Sequence, residues 1–360
     1  MTLSANPLKH VTTHAIDLIE AAYDLEKSDA AWLPDLIDAG APILDHGLGV
    51  FGFELVRAPL SGGGADVVIE GMHLRSLPED LPDKLNAAVS RLSPEFIAAA
   101  TRAGYAGTWT EKAKDYPEEL GPLLEAIGYS DMLGILAFDP NGVGVEIGAP
   151  LPESTTLTPK SRERWQMLGA HIASAYRLRK ALAEMEEHSH VEPTGLPCDA
   201  EAVFDVHDFQ IVDSVARAQE PNVADFLREA ALAVDRARGK LRKNDPQQAL
   251  ELWKALVCGR WSLVDWFDTD QRRFVLAMPN PPEVSDPRGL SEQERQVVAY
   301  VLLGDPSKLV AYRLGLSPAR VSGLLKSAMH KLSVTTKAGL AEKLRPMGIP
   351  AVTLDDESAA

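Results

Sequence analysis

The stretch RLGLSPARVSGLLKSAMHKL, residues 313–332, decides how the rest of the chain is read. Ser317 suits an N-cap, and Pro318 suits the first helical position. Val321, Leu325, Ala328 and Leu332 then recur at i, i+4, i+7 and i+11, which makes one buried stripe. The opposite face carries Ala319, Gly323, Lys326 and His330. A glycine in the middle of an exposed helical face costs about 1 kcal/mol against alanine, so its presence asks for a reason. Just upstream, only Leu314-Gly315-Leu316-Ser317 separates this helix from the one before it. A turn so short, with a glycine, is the join of a helix-turn-helix.

Working outward, four short helices are expected, each with a start signal. Ser291 with Glu294 forms a capping box for the first. Asp305 with Pro306 opens the second, Ser317 with Pro318 the third and Thr335 the fourth. Gly304 and Gly315 stand where the first two helices should end. Val297, Val298, Val301, Leu302, Val310, Leu314, Val321, Leu325, Leu332, Leu340 and Leu344 supply a small core. Charge sets this segment apart. The whole chain carries −16 from 36 basic and 52 acidic residues. Residues 288–345 hold ten basic residues against four acidic ones, or +6, which leaves −22 for the remainder. One basic module on an acidic body is the asymmetry expected when only the module meets a polyanion.

These residues resemble the DNA-binding domain of LuxR/GerE-type bacterial transcription regulators. The resemblance rests on Leu290-Ser291, Glu294-Arg295, Val297, Gly304, Lys308, Val310-Ala311, Arg313-Leu314-Gly315-Leu316-Ser317-Pro318, Val321, Leu325, Lys331-Leu332 and Val334, all in order over about the last fifth of the chain. The chain departs from the family at four positions. Leu309 replaces a usual acidic residue, Arg320 a common threonine, Leu324 a frequent histidine and Ser333 a usual glycine. The resemblance implies an all-α, four-helix domain over 290–346 whose third helix enters the major groove. It implies a DNA-contacting set of Lys308, Arg313, Ser317, Ala319, Arg320, Ser322, Gly323, Lys326, Lys331, Thr336 and Lys337, with promoter duplex DNA and RNA polymerase as partners. Gly323 would let the backbone approach the bases closely. Arg320 and Lys326 would bracket it, either reading guanine or holding phosphate, and Lys331 would lie to one side near phosphates.

The 360 residues are too many for one compact core. Residues 10–27 read as a helix. Residues 49–60 and 65–74 read as strands around the glycine loop 61–64, which lacks the Lys-Ser or Lys-Thr that a phosphate-binding loop requires. Residues 78–103 read as a helix, and 131–138 and 143–150 as two strands around Asp139-Pro140-Asn141-Gly142. A long helix follows over 158–187, with a stripe of Trp165, Leu168, Ile172, Ala175, Leu178, Leu182 and Met185, flanked by basic Arg177, Arg179 and Lys180. Its first half is expected on the sheet and its second half between two protomers. Residues 1–190 resemble a GAF-type sensor in element order. After a linker at 190–199, residues 198–280 offer strands, a helix with the stripe Val223, Phe226, Leu227, Ala230, Val234, Ala237 and Leu241, and a hairpin across Asp268-Thr269-Asp270. That order is compatible with a PAS-like α+β unit. A proline-rich linker (281–289) and an acidic tail (347–360) complete a multidomain chain.

Phe51, Phe53, Tyr105 and Trp109, with Trp32 and Tyr116 nearby in sequence, are candidates to line a ligand pocket in the first domain, with core packing as the alternative for each. His188, His190, Cys198 and His207 match no compact zinc spacing, so no metal is expected. No GxSxG, HExxH or P-loop occurs, so neither catalysis nor a cofactor is expected. Two cysteines, Cys198 and Cys258, fit a reducing compartment. The N-terminus lacks a signal peptide, and no apolar run approaches a membrane span. The reading is a cytoplasmic bacterial regulator, a homodimer, sensing a small molecule or protein through its N-terminal domains. A receiver domain is not matched in the first 60 residues; a ligand-sensing regulator of the acyl-homoserine-lactone type stands as an alternative, although its pocket motif is not matched. The rival from another class is an interaction module whose helix-turn-helix serves dimerisation alone.

Overall fold

The protein is described from a computed structural model covering residues 7–59, 65–93, 96, 106–112, 115–138, 143–187, 196–253, 261–268, 270, 272–279, 290–332 and 334–344. The expected glycine loop at 61–64, the turn at 139–142, Tyr105, Cys258, His188, His190, Ser333, the proline-rich linker and the acidic tail lie outside these residues. Two compact units are distinguished. One is built within residues 17–177 around a five-stranded sheet, the other within residues 178–281 around a four-stranded sheet. The division falls after Arg177, inside one helix.

Helix α1 (Pro7–Ala22) is divided between the two units after Ile16. In the first unit, helix α2 (Asp29–Leu44) precedes strands β1 (Val50–Pro59) and β2 (Ala65–Arg75). Then come α3 (Leu81–Val89), the short strand β3 (Ala106–Thr108), α4 (Trp109–Lys112) and α5 (Pro117–Ile127). Strands β4 (Asp131–Phe138) and β5 (Val143–Leu151) complete an antiparallel sheet in the order β2-β1-β5-β4-β3. Both hairpins stand where the alternation of residues placed them. Helix α2 and strand β3 are additions to the expected elements.

The sheet is packed tightly at its centre. Phe51 lies opposite Gly148 in register, and Gly134 lies opposite Gly148 on the other side. A Cβ at Gly148 would fall 2.2 Å from the carbonyl oxygen of Leu133 and 2.5 Å from the ring of Phe51. No side chain fits there, so the aromatic ring of β1 takes the space that β5 leaves.

The long helix α6 (Pro159–Glu187) has the expected extent. Gly169 brings its backbone onto Ile135 and Ala137 of β4. Its start is held by two carboxylates. Buried Asp131 accepts from the backbone N–H of Thr110, Met132 and Thr155, while Glu111 accepts from the N–H of Thr108 and Leu157 and from the Arg162 guanidinium at 2.6 Å. Further along, Tyr176 stacks on Trp32 and donates its hydroxyl to Glu54 at 2.9 Å. Burial, then the neighbouring Glu54 carboxylate, pushes this phenol well above its ordinary value.

Every residue from 168 to 179 of α6 is buried, Arg177 and Arg179 included. The expected basic flank is therefore partly interior.

The second unit contains β6 (Ala202–Asp205) and β7 (Ile211–Ser214), then α7 (Pro221–Arg238), α8 (Lys240–Asn244) and α9 (Pro246–Trp253), then β8 (Trp261–Phe267) and β9 (Arg273–Pro279). The sheet order is β7-β6-β9-β8, all antiparallel. Asp268 closes the β8–β9 turn by accepting from the N–H of Asp270 and Arg272. Leu227, Ala230, Val234 and Ala237 of α7 are buried as expected, but Phe226 is 44% exposed. At about 100° per residue it stands at the margin of the buried arc. A charged cluster joins α7 to the hairpin: Asp265 lies between Arg238 and Arg273, and Arg273 also reaches Asp235.

Among the described residues, no helix is long and apolar enough to cross a membrane.

Candidate nucleic-acid interface

The C-terminal segment forms α10 (Glu292–Leu302), α11 (Ser307–Arg313), α12 (Pro318–Lys331) and α13 (Lys337–Leu344). All eleven residues assigned to its core from periodicity are buried. The capping box at α10 is formed: the Ser291 hydroxyl accepts from the Glu294 N–H, and Glu294 accepts from the Ser291 N–H at 2.7 Å.

Two glycines shape the turns. After α10, Gly304 has φ +91, with the bonds Gly304 N–H to Val301 O and Asp305 N–H to Tyr300 O. After α11, Gly315 has φ +62, with Gly315 N–H to Tyr312 O and Leu316 N–H to Ala311 O. Each is a Schellman ending, in which a left-handed residue folds the chain back over the last carbonyls. Helix α13 starts one residue later than expected. Thr336, not Thr335, caps it by accepting from the Gly339 N–H at 3.0 Å.

Helix α12 has three kinds of surface. Val321, Leu324, Leu325 and Ala328 are buried. Ala319, Ser322, Gly323, Lys326 and His330 are exposed. An added Cβ at Gly323 would meet nothing within 4 Å, and its backbone shows no positive φ. Neither packing nor backbone geometry within the protein calls for glycine there.

The third surface is the flank formed by Arg320, Ser327 and Lys331, which share one side at steps of seven and four residues. All three reach the start of α10. Arg320 donates to Gln293 Oε1 at 3.1 Å, Ser327 to Glu294 Oε1 at 2.6 Å and Lys331 to Glu294 Oε2 at 2.7 Å. The Glu294 side chain is only 5% exposed. Burial would raise its pKa, but the hydrogen bonds from Lys331, Ser327 and Ser291 outweigh that and hold it at about 2. Lys331 is thus an internal tie as well as a surface cation. Gln293 and Ser327 did not stand out in the sequence. Their signal was present in the adjacency of Gln293 and Glu294 and the spacing of Arg320, Ser327 and Lys331.

Of the contact residues implied by the resemblance, Lys308, Ser317, Ala319, Arg320, Ser322, Gly323, Lys326, Lys331, Thr336 and Lys337 are exposed. Arg313 is the one of this set that is buried. It is 5% exposed because it falls three and four residues after Val310 and Leu309, on the buried arc of α11. Leu309 and Leu324 are buried too. Of the three departures that fall among the described residues, these two belong to the core and Arg320 is exposed on α12.

The aromatic candidates of the first domain separate. Phe51 and Phe53 stack on each other at 5.0 Å and are buried in the sheet. Trp109 packs instead at the margin of a cluster of Ala88, Phe96, Leu120 and Leu123.

Two helices joined by a glycine turn, the second presenting an open polar face, define a helix-turn-helix domain. Residues 288–344 match the family of bacterial regulatory proteins described as the luxR family. The C-terminal domain is therefore of the LuxR/GerE type. No curated protein matches the chain.

Proposed function

We propose that the protein is a sequence-specific, DNA-binding transcription regulator in which α12 lies in the major groove. The observation that carries this reading is Gly323. Its lack of a side chain serves nothing inside the protein, so the open surface it creates serves something outside. A helix seated in a groove needs a low centre and polar neighbours, and Ala319, Ser322, Lys326 and His330 supply them. The +6 charge of residues 288–345 on an acidic chain supports a polyanionic partner.

The two sheet-containing units are the sensing and dimerising part in this reading. The first is GAF-like over 1–190: two hairpins share one sheet, and a long exit helix follows, as the element order anticipated. Of the helix expected over 78–103, α3 covers Leu81–Val89, and α4 and α5 follow beyond it. The second is PAS-like over 198–280. A small molecule or protein acting on these units would modulate promoter binding by a homodimer in the bacterial cytoplasm, with RNA polymerase as the downstream partner.

The test is binding of the full chain to a pool of bacterial promoter duplexes. Affinity should fall steeply as salt rises, and one sequence class should be enriched. Absence of binding at low salt would defeat the reading in favour of an interaction module.

A further inference from the structure

We propose that the outer edge of strand β2 is a self-association surface, on which β2 of a second copy of this chain pairs antiparallel about a two-fold axis. This rests on the homodimer part of the reading above and names its surface. The sheet of the first unit treats its two ends differently. At one end stands β3, three residues long and fully buried. At the other stands β2, eleven residues long, paired to β1 on one edge and to no strand on the other among the described residues. A very short end strand protects a sheet from edge pairing, whereas a long one with exposed apolar side chains is a template for it. Val68 and Ile69 of β2 are 46% and 37% exposed, and as consecutive strand residues they lie on opposite faces of the sheet. The end strands of the second sheet are shorter, at four residues in β7 and seven in β8.

The register of β2 selects a second copy as the occupant. Gly71 lies opposite Glu54 and Ile69 opposite Leu55, so Glu70 is an extra residue, a β-bulge. The bulge re-phases the strand. Ile69 and Met72 share a face, because their partners Leu55 and Phe53 alternate back to one face of β1, and Val68 and His73 share the other through Val56 and Gly52. Two strands related by a two-fold axis perpendicular to the sheet must set same-face residues opposite each other. With the bulge at its centre, one register does this along the strand: Ile69 of one copy opposite Met72 of the other, Val68 opposite His73, Val67 opposite Leu74 and Asp66 opposite Arg75. Without the bulge this register would oppose residues of different faces. It covers both exposed apolar residues and sets an acidic position opposite a basic one at each end. Arg75 already pairs with Asp38, so Asp66 of the other copy joins an existing ion pair. Glu70 stands opposite Gly71 rather than a second carboxylate. Bulges and charges ordinarily deter edge pairing; in β2 they are arranged to match a copy of themselves.

The experiment follows the oligomeric state of the full chain by sedimentation over a concentration series, with melting temperatures to confirm that each variant folds. The parent should dimerise. Ile69→Lys, at an exposed position, should fold and weaken the dimer by about tenfold, because a lysine from each copy enters the apolar line between the strands. Cross-linking reads the register. A mixture of the single variants Ile69→Cys and Met72→Cys should form a disulfide-linked dimer on mild oxidation, since Cβ atoms opposed across two strands lie about 4.5–5.5 Å apart. Neither variant alone should do so, because its own two cysteines are offset by three residues, or roughly 10 Å. The native cysteines are present in every arm, and the parent is oxidised alongside. A parent dimer that Ile69→Lys leaves intact overturns the edge pairing. So does a mixture that cross-links no better than the single variants. A parent that stays monomeric throughout defeats the homodimer reading itself, which is a different result from a dimer indifferent to Ile69→Lys.

Discussion

The centre of the five-stranded sheet and the outer face of α12 each hold a glycine among larger residues, for opposite reasons. At Gly148 the space is filled by Phe51 from the next strand, and a Cβ would strike the carbonyl of Leu133. At Gly323 the space is empty. The first glycine is required by what the protein already contains. The second is not, and the DNA-binding reading proposed above gives it a use. Absence of a side chain therefore carries information about function only when its internal explanations have been removed.

The flank of α12 provides the largest test of this contrast, because there the internal duty is explicit. Glu294→Gln should cost on the order of 2–3 kcal/mol in denaturant unfolding, since it weakens a buried carboxylate bonded to Ser291, Ser327 and Lys331. The pH dependence follows in sign. The folded carboxyl sits at about 2, below its ordinary 4.5. Its contribution is full above about pH 4.5 and is lost as pH falls toward 2, so the stability gap between parent and Glu294→Gln should close over that window. A gap independent of pH would show that the ionised form is not what ties α10 to α12.

Gly148→Ala should destabilise the first unit by about 1–3 kcal/mol, read as a lower melting temperature, because the strand and the Phe51 ring must both move. Gly323→Gln should melt no lower than the parent but lose specific DNA affinity by about tenfold, or ~1.4 kcal/mol. Gly323→Ala should be more stable by up to about 1 kcal/mol and intermediate in affinity. If Gly323→Gln binds as well as the parent, the open face does not approach DNA and the contrast between the two glycines loses its functional half. The smallest effect belongs to the cap of α13: Thr336→Ala should cost about 1 kcal/mol in stability.

What was legible in the sequence is what depends on neighbours in the chain. Strand β4 coincides with the run read at 131–138, and the capping box and both helix-ending glycines are local signals that the structure realises. Helix α2 was not legible because Pro34 and Pro42 lie within it and interrupt the helical pattern, although one sits near its start and the other in its last turn. Strand β3, three residues long, is below any periodicity. Arg313 entered the contact set through the resemblance, which does not register its position three residues after Val310 on the buried arc of α11. The Lys331–Glu294 tie spans 37 residues, beyond what spacing within one helix can report. The second half of α6 shows the same limit, since a regular apolar stripe does not say whether the chain itself or a second copy covers it.

The two left-handed glycines after α10 and α11 set the angle at which α12 is carried, and Glu294 fixes its roll. None of these features lies on the outward line of Ala319, Gly323, Lys326 and His330. Mounting and lettering are thus separate parts, as type is separate from the press that holds it. Under the proposed DNA-binding reading, exposed positions on that line can be rewritten without disturbing the frame, which would make this helix a tractable place to redirect the chain to a different sequence.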